Sequence, residues 1–162
     1  MRKQNFLKVL IVPVVFVTAL FGCASNRGGV SLSDMKELSK NHALVVVYNA
    51  GIVKTYDDNG IKPLFEHLES GDFKNTYVFD KVTGRASAMI LAYGGAENLY
   101  TGVLSKEAVP VLNKYRIKYS ADKIVDHIIN KTGDDKCPME KAVEGVDDPA
   151  QAYKILKEKF GN

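Results

Sequence analysis

Two short stretches carry residue types and spacings suited to chemistry. The first is CPMEK, Cys137 to Lys141. Pro138 suits the first position of a helix, which makes Cys137 the expected N-cap. A helix N-terminus favours a thiolate over a thiol. Lys136 and Lys141 act in the same direction, and Glu140 opposes them unless it bonds back to the cap backbone. Three readings of Cys137 stay open: a packing or capping residue, a nucleophilic or redox thiol, and a metal ligand. A nucleophile needs a base, and His127 is the candidate nearest in the sequence.

The second stretch is DKVTGRASA, residues 80–88. Thr83-Gly84 reads as the start of a helix, where free N–H groups and a partial positive charge meet. Glycine there lets a ligand approach the backbone. Arg85 and Lys81 add cationic donors, and the arginine fork matches a carboxylate or phosphate. A second helix start at Gly60 is expected to face the same crevice. Asp80, Lys81, Gly84, Arg85 and Gly60 are therefore the expected contacts of a small anionic or nucleotide-like ligand. The plainer alternative is that Asp80 caps a helix, Gly84 permits close packing and Arg85 pairs with an acid. Asp57-Asp58, just before Gly60, reads as a turn and cap more than as an acid–base pair.

The N-terminus combines a basic start (MRKQNFLK), an apolar run (VLIVPVVFVTALF) and GCAS. The run is shorter than the roughly 20 residues of a spanning helix, so residues 1–22 read as an export signal. Leu20-Phe21-Gly22-Cys23 resembles the lipobox of bacterial lipoproteins. That resemblance implies cleavage before Cys23, a lipid on Cys23, and a short tether over 23–30. An ordinary signal cut nearby, or an uncleaved anchor, are the alternatives. Ala24 after the cysteine points to the outer membrane in a Gram-negative host. Residues 1–22 hold three of the chain's 22 Lys and Arg. Removing them leaves 19, equal to the 19 Asp and Glu. A mature chain near neutrality offers no electrostatic case for nucleic-acid binding. With Cys23 lipidated, Cys137 is an unpaired thiol.

Residues 31–162 read as one domain that must position these groups. SLSDMKELSKNH suits a capped helix. ALVVVYNAGIVKTYD reads as two strands around Asn49-Ala50-Gly51. A helix follows at Ile61, Leu64, Phe65 and Leu68. TYVFD, NLYTGVLS and IKYS read as strands, separated by helices at TGRASAMILAYGG and SKEAVPVLNKY. Pro110 implies a kink or a later start in the second of these. ADKIVDHIIN, CPMEKAVEG and DDPAQAYKILKEKFG all read as helical, with Asp148 as the cap of the last. This alternation predicts an α/β fold with a largely parallel sheet and a hairpin at one side.

This order, with DKVTGRASA and CPMEKAV (137–143), resembles the family described as domain of unknown function 1893. The resemblance implies a cytidine deaminase-like three-layer sandwich: a mixed sheet of about five strands between helices. A true deaminase needs a His or Cys with a Glu at one helix start, and two more cysteines at the next, to hold zinc. Those places fall at Asp57 to Gly60 and at Lys81 to Ala86, which lack such ligands, and His42, His67 and His127 lie elsewhere. The expectation is therefore no zinc, no cofactor and no zinc-dependent deamination. A lipid-anchored module that binds a small anionic ligand is expected, with a Cys137-dependent enzyme as the alternative.

Overall fold

The computed structural model describes residues 32–48, 51 and 53–161. The expected export segment, Cys23 and the tether lie outside them. The elements run α1 (Leu32–Ser39), β1 (Leu44–Tyr48), β2 (Val53–Tyr56), α2 (Lys62–Ser70), β3 (Thr76–Thr83) and α3 (Arg85–Tyr93). They continue with β4 (Asn98–Ser105), α4 (Val109–Lys114), β5 (Lys118–Val125), α5 (Pro138–Ala142) and α6 (Pro149–Gly161).

The strands form one mixed sheet in the order β2-β1-β3-β4-β5. β1 is antiparallel to both β2 and β3, and the other two pairs are parallel. One rung, Tyr56–Leu44–Asp80–Thr101–Ala121, crosses all five strands. Gly51 has a positive φ of 77° and its amide donates to the Tyr48 carbonyl at 2.9 Å. It supplies the left-handed backbone that the β1–β2 turn requires.

Side chains alternate across β1 and thereby divide the core. Leu44 and Val46 join Val78, Leu99 and the apolar faces of α2, α3, α4 and α6. Val45 and Val47 join Phe79, Tyr100 and Met35 of α1 on the opposite face. Helices thus lie on both faces of the sheet. Among the described residues, no helix is long and apolar enough to cross a membrane.

His67 is fully buried in this core. Its Nε2 lies 3.0 Å from the Asp72 carbonyl, its Nδ1 lies 3.1 Å from the Tyr56 hydroxyl, and its ring stacks on Phe73. These partners suit a neutral ring that donates from Nε2 and accepts at Nδ1. Burial holds its pKa below the ordinary value.

The expected helix at ADKIVDHIIN is not formed. Its first residues continue β5, which pairs with β4 from Asn98↔Lys118 to Ser105↔Val125. The long parallel ladder overrides the helical spacing of the isoleucines, and Ile124 and Ile129 stand exposed instead of packing. A bridge between Ile129 and Lys136 then closes the following turn. The prolines behave as the sequence implies. Pro110 lies at the start of α4, and Pro138 opens α5 with Cys137 as its N-cap.

Candidate functional site

The start of α3 is built around Gly84, its N-cap, which has no side chain to satisfy the free amides. Glu140, 55 residues after Arg85, reaches the first of them instead. Its Oε1 accepts from the Arg85 amide at 2.7 Å and its Oε2 from the Ile128 amide at 3.0 Å. Glu140 is only 2% exposed. A Cβ on Gly84 would lie 2.1 Å from Oε1 and 3.0 Å from Cγ1 of Ile128. Gly84 therefore admits a close approach, but the anion that approaches is the chain's own. Glu140 does not turn back to the cap of α5; it ties α5 and the segment after β5 to the helix that follows β3.

Arg85 is equally committed. Its Nε donates to the Val143 carbonyl at 3.1 Å, and its Nη2 to the Val146 carbonyl at 2.6 Å and to Asp147 Oδ1 at 3.2 Å. The guanidinium thus holds the connection between α5 and α6, and pairs with an acid as the plainer reading of the sequence has it. Nearby, Lys136 Nζ bonds Glu107 at 2.8 Å and lies 3.7 Å from Glu144. The hydrogen bond with Glu107 raises the Lys136 pKa above its ordinary value. Arg85, Glu107, Pro110, Lys136, Glu144 and Gly145 line one open pocket of about 320 Å³. The two cationic side chains are 15% and 16% exposed, whereas Glu144 and Asp147 are 71% and 81% exposed.

Asp80 lies below the same helix start. It is buried, the Thr83 hydroxyl donates to its Oδ2 at 2.9 Å, and Ser87 and the Val82 backbone also bond it. Thr83 in turn meets Thr101 Oγ1 at 3.1 Å. Burial pushes the Asp80 carboxyl up to about 7, and these hydrogen bonds only partly offset it. Lys81 is exposed, and its amide donates to the Ala43 carbonyl. Gly60, at φ 78°, is exposed in the turn before α2. It follows β2, which β1 separates from β3. None of Gly60, Asp80 and Lys81 is among the residues lining the Arg85–Lys136 pocket.

Cys137 is a free, partly buried thiol whose amide donates to the Ile128 carbonyl at 2.8 Å. His127 is exposed. His42 Nδ1 lies 2.6 Å from Asp57 Oδ1, and Asp58 pairs with Lys62. Among the described residues, no group of three or more His, Cys, Asp or Glu is placed to hold a metal ion.

Residues 33–160 match the family model described as Domain of unknown function (DUF1893). The chain belongs to this family. A solved crystal structure of a DUF1893 family protein from Thermotoga maritima is similar to it, at 26% identity and a TM-score of 0.73. That similarity covers 85% of this chain and 92% of the other. No curated protein matches the chain. The α/β sheet read from the sequence is thus the architecture of a DUF1893 domain. Glu140 and Arg85, which join its two quoted motifs, fall within the matched residues.

Proposed function

We propose that this DUF1893 domain is a lipid-anchored binding module of the bacterial cell envelope that takes a small ligand bearing an anionic group. The observation that carries this reading is the pocket at Arg85 and Lys136. Two cations from segments far apart in the sequence converge there while largely withdrawn from solvent. Part of their counter-charge comes from Glu144 and Asp147, which stand in solvent and are free to be replaced. A ligand carboxylate or phosphate would take their place on Lys136 and on the exposed edge of Arg85. The site differs from the crevice expected from sequence. Of the expected contacts Arg85 is kept, and Lys136 stands in place of Gly60, Asp80, Lys81 and Gly84, which do not line this pocket. Cys137, at the N-cap position of α5, adjoins Lys136 and bonds the Ile128 carbonyl through its amide. The lipid anchor rests on the lipobox-like LFGC stretch alone.

Lys136→Met tests the pocket without removing a buried staple. It is expected to weaken ligand binding at least tenfold, read by calorimetry, with a melting temperature within a few degrees of the parent. Unchanged affinity would remove Lys136 from the site. Cys23→Ser tests the anchor. It is expected to move the protein out of the membrane fraction of its host, and retention there would count against a lipid on Cys23.

A further inference from the structure

We infer that the ligand is a zwitterion of the amino-acid type, with its carboxylate on Lys136 and Arg85 and its ammonium on Glu144. This rests on the pocket reading above and narrows it. The lining holds two cations and two anions, and both anions flank one cation: Glu107 lies 2.8 Å and Glu144 3.7 Å from Lys136 Nζ. The carboxylate of Glu140 is buried against the backbone of Arg85 and adds a further negative charge close by. Glu107 is displaced less readily than Glu144, because its bond to Lys136 is the shorter one and its side chain is the less exposed. Glu144 can be displaced, because its contact is long and its side chain is mostly in solvent.

A bare dianion entering this pocket meets the two carboxylates of its lining, Glu107 and Glu144, and like charges repel. A lone cation meets Arg85 and Lys136. A molecule carrying both signs satisfies both walls. In an α-amino acid the carboxylate oxygens and the ammonium lie roughly 3 Å apart, given ordinary bond lengths. One small molecule of that size can therefore reach Lys136 and Glu144 together, since the two side chains lie side by side at 3.7 Å. Glu144 then changes partners: it leaves Lys136 to the incoming carboxylate and receives the ammonium.

The test is a titration of the isotope-labelled full chain with glycine, acetate, methylammonium and inorganic phosphate, following the amides of Lys136 and Gly145. Glycine is expected to bind at least tenfold more tightly than acetate or phosphate. Glu144→Gln, at an exposed position that leaves folding intact, is expected to weaken glycine several-fold and to strengthen acetate. That crossing of effects is the signature of the zwitterion. Acetate or phosphate binding as tightly as glycine would overturn the inference and leave the anion pocket standing. So would a gain for both ligands in Glu144→Gln. No shift with any of the four probes would overturn the inference and count against the pocket as well.

Discussion

Replacing Glu140 with alanine is expected to destabilise the domain by about 3–5 kcal/mol, since it leaves two part-buried amides without their acceptor. For a domain of this size that lowers the melting temperature by roughly 10–20 °C. The amides are those of Arg85 and Ile128, and both bond to the carboxylate of this one side chain. Glu140→Gln keeps the volume and one acceptor oxygen, so its cost is smaller, about 2 kcal/mol. Gly84→Ala acts on the same contact from the other side. Its Cβ would lie 2.1 Å from Oε1 of Glu140, so the carboxylate must withdraw from the Arg85 amide. Because both substitutions break one contact, their effects should not add. The double variant is expected to cost clearly less than the sum of the single ones. Additive losses by thermal unfolding would show that Glu140 and Gly84 act separately.

The second large effect is pH-dependent. Asp80 has a pKa of about 7 in the fold against an ordinary value of 3.8, because burial opposes its charge. A carboxyl raised in this way stabilises the fold fully at pH below 3.8. That contribution is lost progressively as pH rises through about 7. The span corresponds to roughly 4 kcal/mol. An asparagine side chain does not titrate, so the stability of Asp80→Asn relative to the parent is expected to increase from about pH 4 to about pH 8 by an amount of that order. All other titrations are shared by the two proteins and cancel. Denaturant unfolding at the two pH values measures the difference. A constant difference would mean that Asp80 is already ionised in the fold at the lower pH.

The limits of legibility follow from the range of the interactions. The hairpin, the five strands and the order of α1 to α4 are readable because period-two and period-3.6 patterns are local, and because Gly51 and Pro110 mark their turns locally. Cys137 as an N-cap is readable for the same reason. The full length of β5 is not, since IKYS continues into ADKIV only when β4 offers a partner along its whole length. The site is legible in part. Arg85 and Gly84 stand out by type and place, but Glu140 reads as a local capping group. Its real partners, the amides of residues 85 and 128, are set by tertiary packing. Glu107 and Glu144 carry no sequence signal beyond ordinary surface charge, and Lys136 stands out only as a neighbour of Cys137. A glycine opening a helix with no capping side chain is the one hint that some other group must approach it.

The most direct test of the binding account is native mass spectrometry of the protein purified from the host that makes it, beside Lys136→Met prepared in the same way. The account predicts a small non-covalent mass that leaves on denaturation and is absent from the variant. A bare mass for both proteins would contradict it.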